Sequence, residues 1–268
     1  MNIHIVDTTL RDGEQKAGIA LGINEKVKIA KILDSMGIYQ IEAGIPVMGR
    51  EEKQSIRKIA ELGLRSRIST WNRLNIDDIK KSFDCGADII HISVPSSDIQ
   101  IKAKLKKDRD WVLDNVKRCI SHARNKNQQI TIGLEDASRA EIKFLLRIIA
   151  AASEEGADRV RYADTVGILT RKRIYEEIGV IRNEIKIDIE IHTHNDMGMA
   201  VANSLSAVRG GAEFVDCTFG GIGERAGNCD CLQFVKAAKA CLGVSCEIDE
   251  VKLLEAQKDI LKIIQMTA

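Results

Sequence analysis

The sequence predicts one α/β domain, a (β/α)8 TIM barrel with a short C-terminal helical extension. Three observations predict it. Short runs rich in Ile and Val alternate with helical stretches in eight successive units. The chain's 268 residues match the length of one such barrel. No GxGxxG follows a strand-like run and no phosphate-loop motif occurs, so the nearest competitor, a doubly wound open sheet, lacks its signature.

The first run, IHIV from Ile3, leads into the polar loop Asp7–Gln15. A helix is expected over residues 24–36, where Val27, Ile29, Ala30 and Leu33 form an apolar stripe and Gly37 provides a stop. The second, third and fourth runs are YQIEAGI from Tyr39, SRISTW from Ser66 and IIHISV from Ile89. ITIGLE from Ile130 is the fifth, and Ser138-Arg139-Ala140-Glu141 after it reads as a capping box opening the next helix. RVRYAD from Arg159, IEIHTH from Ile189 and FVDCTF from Phe214 complete the set. An eighth helix is expected over 230–242, and CEIDEVKLLEAQKDILKII reads as one more amphipathic helix. The expected division is a catalytic barrel over residues 1–245 and a C-terminal helix over 246–268.

Composition excludes several classes. The 40 basic and 39 acidic residues leave a net charge of +1 without a long block of one sign, so neither nucleic acid nor an acidic membrane is an expected partner. No apolar run approaches the roughly 18 residues of a spanning helix. The N-terminus lacks the basic and apolar regions of a signal peptide. The 7 scattered cysteines form no CxxC pair, which fits free thiols in the cytoplasm. Cys229-x-Cys231 is too closely spaced for an ordinary structural zinc site.

Active sites of such barrels lie where the strands end at their C-termini. His192-Thr193-His194 closes the seventh run, and residues i and i+2 of a strand face one way, so the two imidazoles can clamp a Zn²⁺, Mn²⁺ or Fe²⁺ ion. Two hydrogen-bonded surface histidines are the bland alternative. The DTTLRDGEQ loop after the first run offers Arg11, Asp12 and Gln15, and in a closed ring of eight its strand is separated from the seventh only by the eighth. Its plain reading is turn chemistry and salt bridging. GGIGERAGN, ending at Asn228, follows the eighth run, where such loops often hold phosphate on backbone N–H groups; a flexible turn is the alternative. Glu135 ends the fifth run in position for acid/base work, and one of Glu135 and Asp136 is expected only to cap or bridge. Thr165 follows the sixth run. His91, within the fourth, is a substrate contact or a core residue. His4, His122 and the basic stretch Lys102–Arg109 read as structural or solvated.

DTTLRDGEQ, HTHND and GGIGERAGN, each at a strand end and in this order, resemble the DRE-TIM metallolyases, the acyl-CoA Claisen-condensing group that includes isopropylmalate, citramalate and homocitrate synthases and hydroxymethylglutaryl-CoA lyase. The resemblance spans the whole chain. VRYADTVG and LEDASR are most similar to homocitrate synthases of the nitrogen-fixation type. It implies a divalent cation (Mg²⁺, Mn²⁺ or Zn²⁺) on Asp12, His192 and His194, with Asn228 as a weaker ligand. It further implies that Arg11 stabilises the carbonyl oxygen, that Gln15 and Thr165 lie near the 2-oxoacid, and that Glu135 serves acid/base steps. The implied reaction is condensation of acetyl-CoA with 2-oxoglutarate, then thioester hydrolysis to homocitrate and CoA. Thr131 stands where lysine-pathway relatives tend to carry an arginine for the distal carboxylate. Full-length relatives also carry a C-terminal subdomain with a catalytic His and Tyr, so the chain is similar to the omega subunit of a split enzyme whose alpha chain would supply that region. Other expectations within the group are synthases acting on other 2-oxoacids, or the reverse-running lyase. Outside it stands a non-catalytic, metal-binding subunit.

Overall fold

The computed structural model describes the chain apart from positions 1, 2, 125, 127, 245, 247, 249, 267 and 268. Eight parallel strands close into a barrel in sequence order: β1 His4–Asp7, β2 Gln40–Gly44, β3 Arg67–Arg73, β4 Ile89–Pro95, β5 Gln129–Glu135, β6 Arg159–Asp164, β7 Asp188–Thr193 and β8 Phe214–Cys217. The ring closes where β8 pairs with β1, in register from His4 with Phe214 to Asp7 with Cys217. All eight runs read from the sequence are strands of this barrel.

Outside it lie α1 Ile23–Ser35, α2 Arg50–Ala60, α3 Ile76–Phe83, α4 Arg109–Arg124, α5 Ile142–Glu154, α6 Arg171–Glu184, α7 Ala200–Gly210 and α8 Cys231–Leu242. Their buried faces meet the outward residues of the strands, such as Ile41, Val160, Ile189, Ile191 and Val215, all fully buried. A ninth helix, α9 Glu250–Gln265, packs Leu253, Ala256, Ile260 and Ile264 inward, against α1 and α8. The boundary expected between 245 and 246 adjoins positions outside the described residues. Among the described residues no helix is long and apolar enough to cross a membrane.

One local expectation is corrected. Ser138 does not cap α5. Asp136 takes a left-handed conformation (φ 63°) and its carboxylate is held by Arg139, so residues 137–139 form a short 3-10 turn; the helix begins one turn later, with Glu141 at its N-cap and no side-chain cap bond. Asp136 thus bridges, as expected of one of the two acids.

The barrel interior is charged rather than aliphatic. Arg159 and Arg161 of β6 reach Glu190 of β7; Arg161 also reaches Glu42 of β2 (2.9 Å) and Asp216 of β8 (3.0 Å). Below this layer Arg159 stacks on Phe214 at 3.5 Å, and His4 packs against Phe214 and Tyr39, confirming a structural place for His4. A buried polar layer is costly unless its members satisfy one another; here Arg161 is met by Glu42, Glu190 and Asp216, and Arg159 by Glu190 and the Gln40 amide oxygen (2.9 Å).

Candidate metal centre and active-site pocket

The centre begins with two imidazoles from one strand. His192 lies in β7 and His194 just beyond it, and alternation turns both into the barrel mouth, Nε2 to Nε2 at 3.3 Å. Asp12, from the loop after β1, brings Oδ2 to 3.6 Å from His192 Nε2 and 3.9 Å from His194 Nε2. Two ligands held about 2.1 Å from one tetrahedral ion lie about 3.4 Å apart, so this spacing suits a shared cation. Among the described residues Asp12, His192 and His194 form the one group of three such ligand atoms gathered this closely. Cys229 and Cys231 take no part in one; all seven cysteines are free thiols.

Asn228 stands behind Asp12. Its Nδ2 donates to Asp12 Oδ1 (2.7 Å) and to the Ile222 carbonyl (3.0 Å), while its buried Oδ1 has no protein partner. That orphaned oxygen is the atom a fourth ligand requires, and the donor set of one carboxylate, two imidazoles and one amide fits a divalent cation.

Electrostatics agree with ligation. Burial alone would raise the Asp12 carboxyl, but Arg11, His192 and His194 outweigh it and hold the group well below the usual carboxylate range. Burial, then the neighbouring His194, keeps the His192 imidazole well below its ordinary value and therefore neutral. An ionised carboxylate beside a neutral imidazole is the state a metal needs.

Beside this centre a cavity of about 210 Å³ opens at the mouth. It brings together Arg11, Asp12, Gln15, His91, Glu135, Thr165, His192 and His194; Asn228 supports it from outside the lining. Arg11 is fixed by Glu42 (2.5 Å) and Asp12 (2.7 Å). Glu135 accepts from Ser93 Oγ at 3.2 Å and pairs with Lys104. Thr165 Oγ1 accepts from the Asp136 N–H at 2.8 Å, leaving its hydroxyl proton to donate elsewhere. His91 Nδ1 lies 2.8 Å from Glu42, whose carboxyl Arg11 and Arg161 hold low against burial, so Nδ1 is the donor; Nε2 is buried without a partner. Gly133 is required here, since a Cβ on it would stand 2.2 Å from that nitrogen.

Some lining residues were missed. Trp71, Ser93, Gly133, Arg161 and Ala163 line the cavity, and each follows or precedes an inward residue of its strand by two. Lys104 corrects the reading of Lys102–Arg109 as merely solvated: a π-helical turn, Ile101–Leu105, turns it to Glu135. Thr131 is buried opposite His91 and does not line the cavity. In the glycine loop after β8 several N–H groups are already used within the protein. The N–H groups of Gly221, Gly227 and Asn228 bond within the loop, and that of Glu224 meets Asp12. The loop's role is to return Asn228 to the centre.

Fold and site together define the class: a (β/α)8 barrel with a candidate divalent-metal centre at its mouth and an arginine and a glutamate in the adjoining cavity. The chain belongs to the HMGL-like family, whose model matches residues 2–260. It is 54% identical over 267 residues to homocitrate synthase subunit alpha of Clostridium pasteurianum, covering 99% of each chain. It is 46% identical to 2-isopropylmalate synthase 2 of Caldanaerobacter subterraneus and 45% identical to homocitrate synthase 1 of a Nostoc species, spanning 94% of this chain and 66% and 67% of theirs. The relative matched end to end is lettered alpha, where the resemblance implied omega for the barrel subunit and alpha for its companion. In fold the chain matches the hydroxymethylglutaryl-CoA lyase of Bacillus subtilis with a TM-score of 0.86 over 98% of this chain and 94% of that one, at 18% identity.

Proposed function

We propose that this chain is the catalytic barrel of a homocitrate synthase. The reaction joins the methyl carbon of acetyl-CoA to the keto carbon of 2-oxoglutarate, and water then cleaves the thioester, giving homocitrate and CoA. The observation that carries the reading is the convergence of Asp12, His192 and His194 on one point beside a cavity that also holds Arg11 and Glu135. The Clostridium and Nostoc relatives, both named homocitrate synthases, support the choice of product.

A divalent cation (Mg²⁺, Mn²⁺ or Zn²⁺) held by Asp12, His192, His194 and Asn228 would supply Lewis acidity toward the oxoacid. The remaining work falls to side chains. The Arg11 guanidinium faces the negative charge that builds on the former keto oxygen, in a pocket where such stabilisation is strong. Glu135 takes a proton from the acetyl methyl and later returns one. The Thr165 hydroxyl and the Gln15 amide hold the carboxylates of the oxoacid, and His91 contacts it from the wall.

We also propose a companion subunit carrying the region by which longer relatives exceed this chain. The Clostridium relative is itself named as a subunit, which supports this. A cytoplasmic location, a product destined for the nitrogenase cofactor, and the division at 245/246 belong to the same proposal. A second reading, a synthase for another 2-oxoacid such as 2-oxoisovalerate, is favoured by the name of the Caldanaerobacter relative, a 2-isopropylmalate synthase. The test is CoA release from acetyl-CoA by the protein purified from its native cells, where any companion is retained. Turnover with 2-oxoglutarate well above that with pyruvate or 2-oxoisovalerate is expected; the reverse order would overturn the choice of substrate.

A further inference from the structure

We infer that Asp216 is a positioning residue for the metal centre, holding the His192 ring so that Nε2 faces Asp12 and His194. This rests on the metal reading above. Asp216 lies in β8 and is buried, and it does not line the cavity. Its Oδ2 stands 3.0 Å from His192 Nδ1 and 3.0 Å from Arg161 Nε. An oxygen there accepts the Nδ1 proton, and the lone pair of the neutral ring is then left on Nε2, the atom 3.6 Å from Asp12.

Asp216 is itself kept from turning. Arg161, fully buried, is tied through its Nη atoms to Glu42 (2.9 Å), and its Nε meets Glu190 as well as Asp216, so the carboxyl faces a guanidinium that is itself held in place. His194 has no equivalent: its Nδ1 is buried without a partner. One ligand ring is therefore oriented by a side chain behind it, and the other, just past β7 and bridged to Asn228 through the backbone, is not. Loss of the Asp216 oxygen would free His192 about its side-chain torsions and cost metal affinity without touching substrate.

The test measures Zn²⁺ affinity by calorimetry on wild type, Asp216→Ala and Asp216→Asn. Asp216→Ala should weaken binding about 10- to 100-fold, the usual cost of losing such a partner, and Asp216→Asn, which keeps an accepting oxygen, should recover to within about threefold of wild type. Wild-type affinity in Asp216→Ala, or equal weakness in both variants, would overturn the inference. Should Asp216→Ala not fold, ¹⁵N-histidine NMR of the metal-free wild type decides, with His192→Ala to assign the ring. The Nδ1–H tautomer at His192 is expected, and the Nε2–H tautomer would overturn it. A wild type that takes up no Zn²⁺ but shows the Nδ1–H tautomer would sink the metal reading and leave the ring assignment standing.

Discussion

Arg11 sits between two carboxylates, Glu42 and Asp12, and lines the cavity beside the candidate metal centre. Arg11→Ala should leave metal uptake intact, because a bound cation replaces its charge beside Asp12, while kcat falls on the order of a hundredfold or more. Arg11→Lys should recover only part, since a point charge cannot span both carboxylates as a planar fork does. Metal content and steady-state rates on the same preparations check both; a normal kcat in Arg11→Ala would remove the residue from the chemistry. Much of this site was legible because strand geometry has a period of two: from His192 to His194 the rule needs no tertiary information. Carried further, the same rule reaches Trp71, Ser93, Gly133, Arg161 and Ala163. Lys104 was not legible, because it reaches Glu135 through a π-helical turn whose course no local pattern sets. Asp216 left a fainter trace, a lone acid inside the apolar run FVDC.

Among the elements, the loop from Thr218 to Asp230 does the most for the site. It leaves β8, folds on its own hydrogen bonds and rejoins Thr218 through a bridge to Asp230, carrying Asn228 to Asp12 on the way. Gly227 adopts φ 92°, and a Cβ there would stand 2.0 Å from the Gly221 carbonyl oxygen. Gly227→Ala should therefore cost about 1–3 kcal/mol of stability and weaken metal binding by displacing Asn228. Chemical denaturation together with a Zn²⁺ titration measures both. Unchanged values would mean the loop is more plastic than its bonds indicate. Strands and most helices were legible from hydrophobic period and glycine stops. The start of α5 was not, because the left-handed turn at Asp136 depends on a side-chain contact with Arg139 and on burial, which a capping-box pattern does not contain.

At the scale of the whole barrel the interior is a charge-balanced layer. Arg11, Arg159 and Arg161 face Asp12, Glu42, Glu190 and Asp216; burial, with Glu190 and Glu42 adding to it against Arg161, pushes Asp216 well above the usual carboxylate range, so it keeps a proton and the charges match. The sequence showed that a barrel forms but not that its middle is ionic, because each strand reads alone as an Ile- and Val-rich run and the pairing is made across the ring. Buried histidines and buried carboxyls set the acid response against each other. Burial, with Arg161 adding and Glu42 opposing, lowers His91 from 6.5 to about 4, and His192 is lowered as well. Through the ordinary histidine range the unfolded chain binds two protons that the folded chain refuses, which favours the fold as pH rises. Asp7, raised by burial from 3.8 to about 7, and Asp216, raised well above its ordinary range, oppose with two protons that the folded chain keeps, and Asp164 and Asp230, raised by burial, act in the same sense. For the metal-free protein the melting temperature should therefore not climb between about pH 5 and 6.5, and it should fall from about pH 6.5 to 7 as the raised acids alone remain. A calorimetric series that climbs steadily from acid to neutral pH would contradict this balance.

The most direct measurement is anomalous scattering from a crystal of the protein soaked in Mn²⁺. One peak within bonding distance of Asp12, His192 and His194, about 2.0–2.3 Å from each, is the predicted result. A fully loaded crystal with no peak between those three side chains, or with the ion bound elsewhere, would contradict the centre on which the chemistry depends.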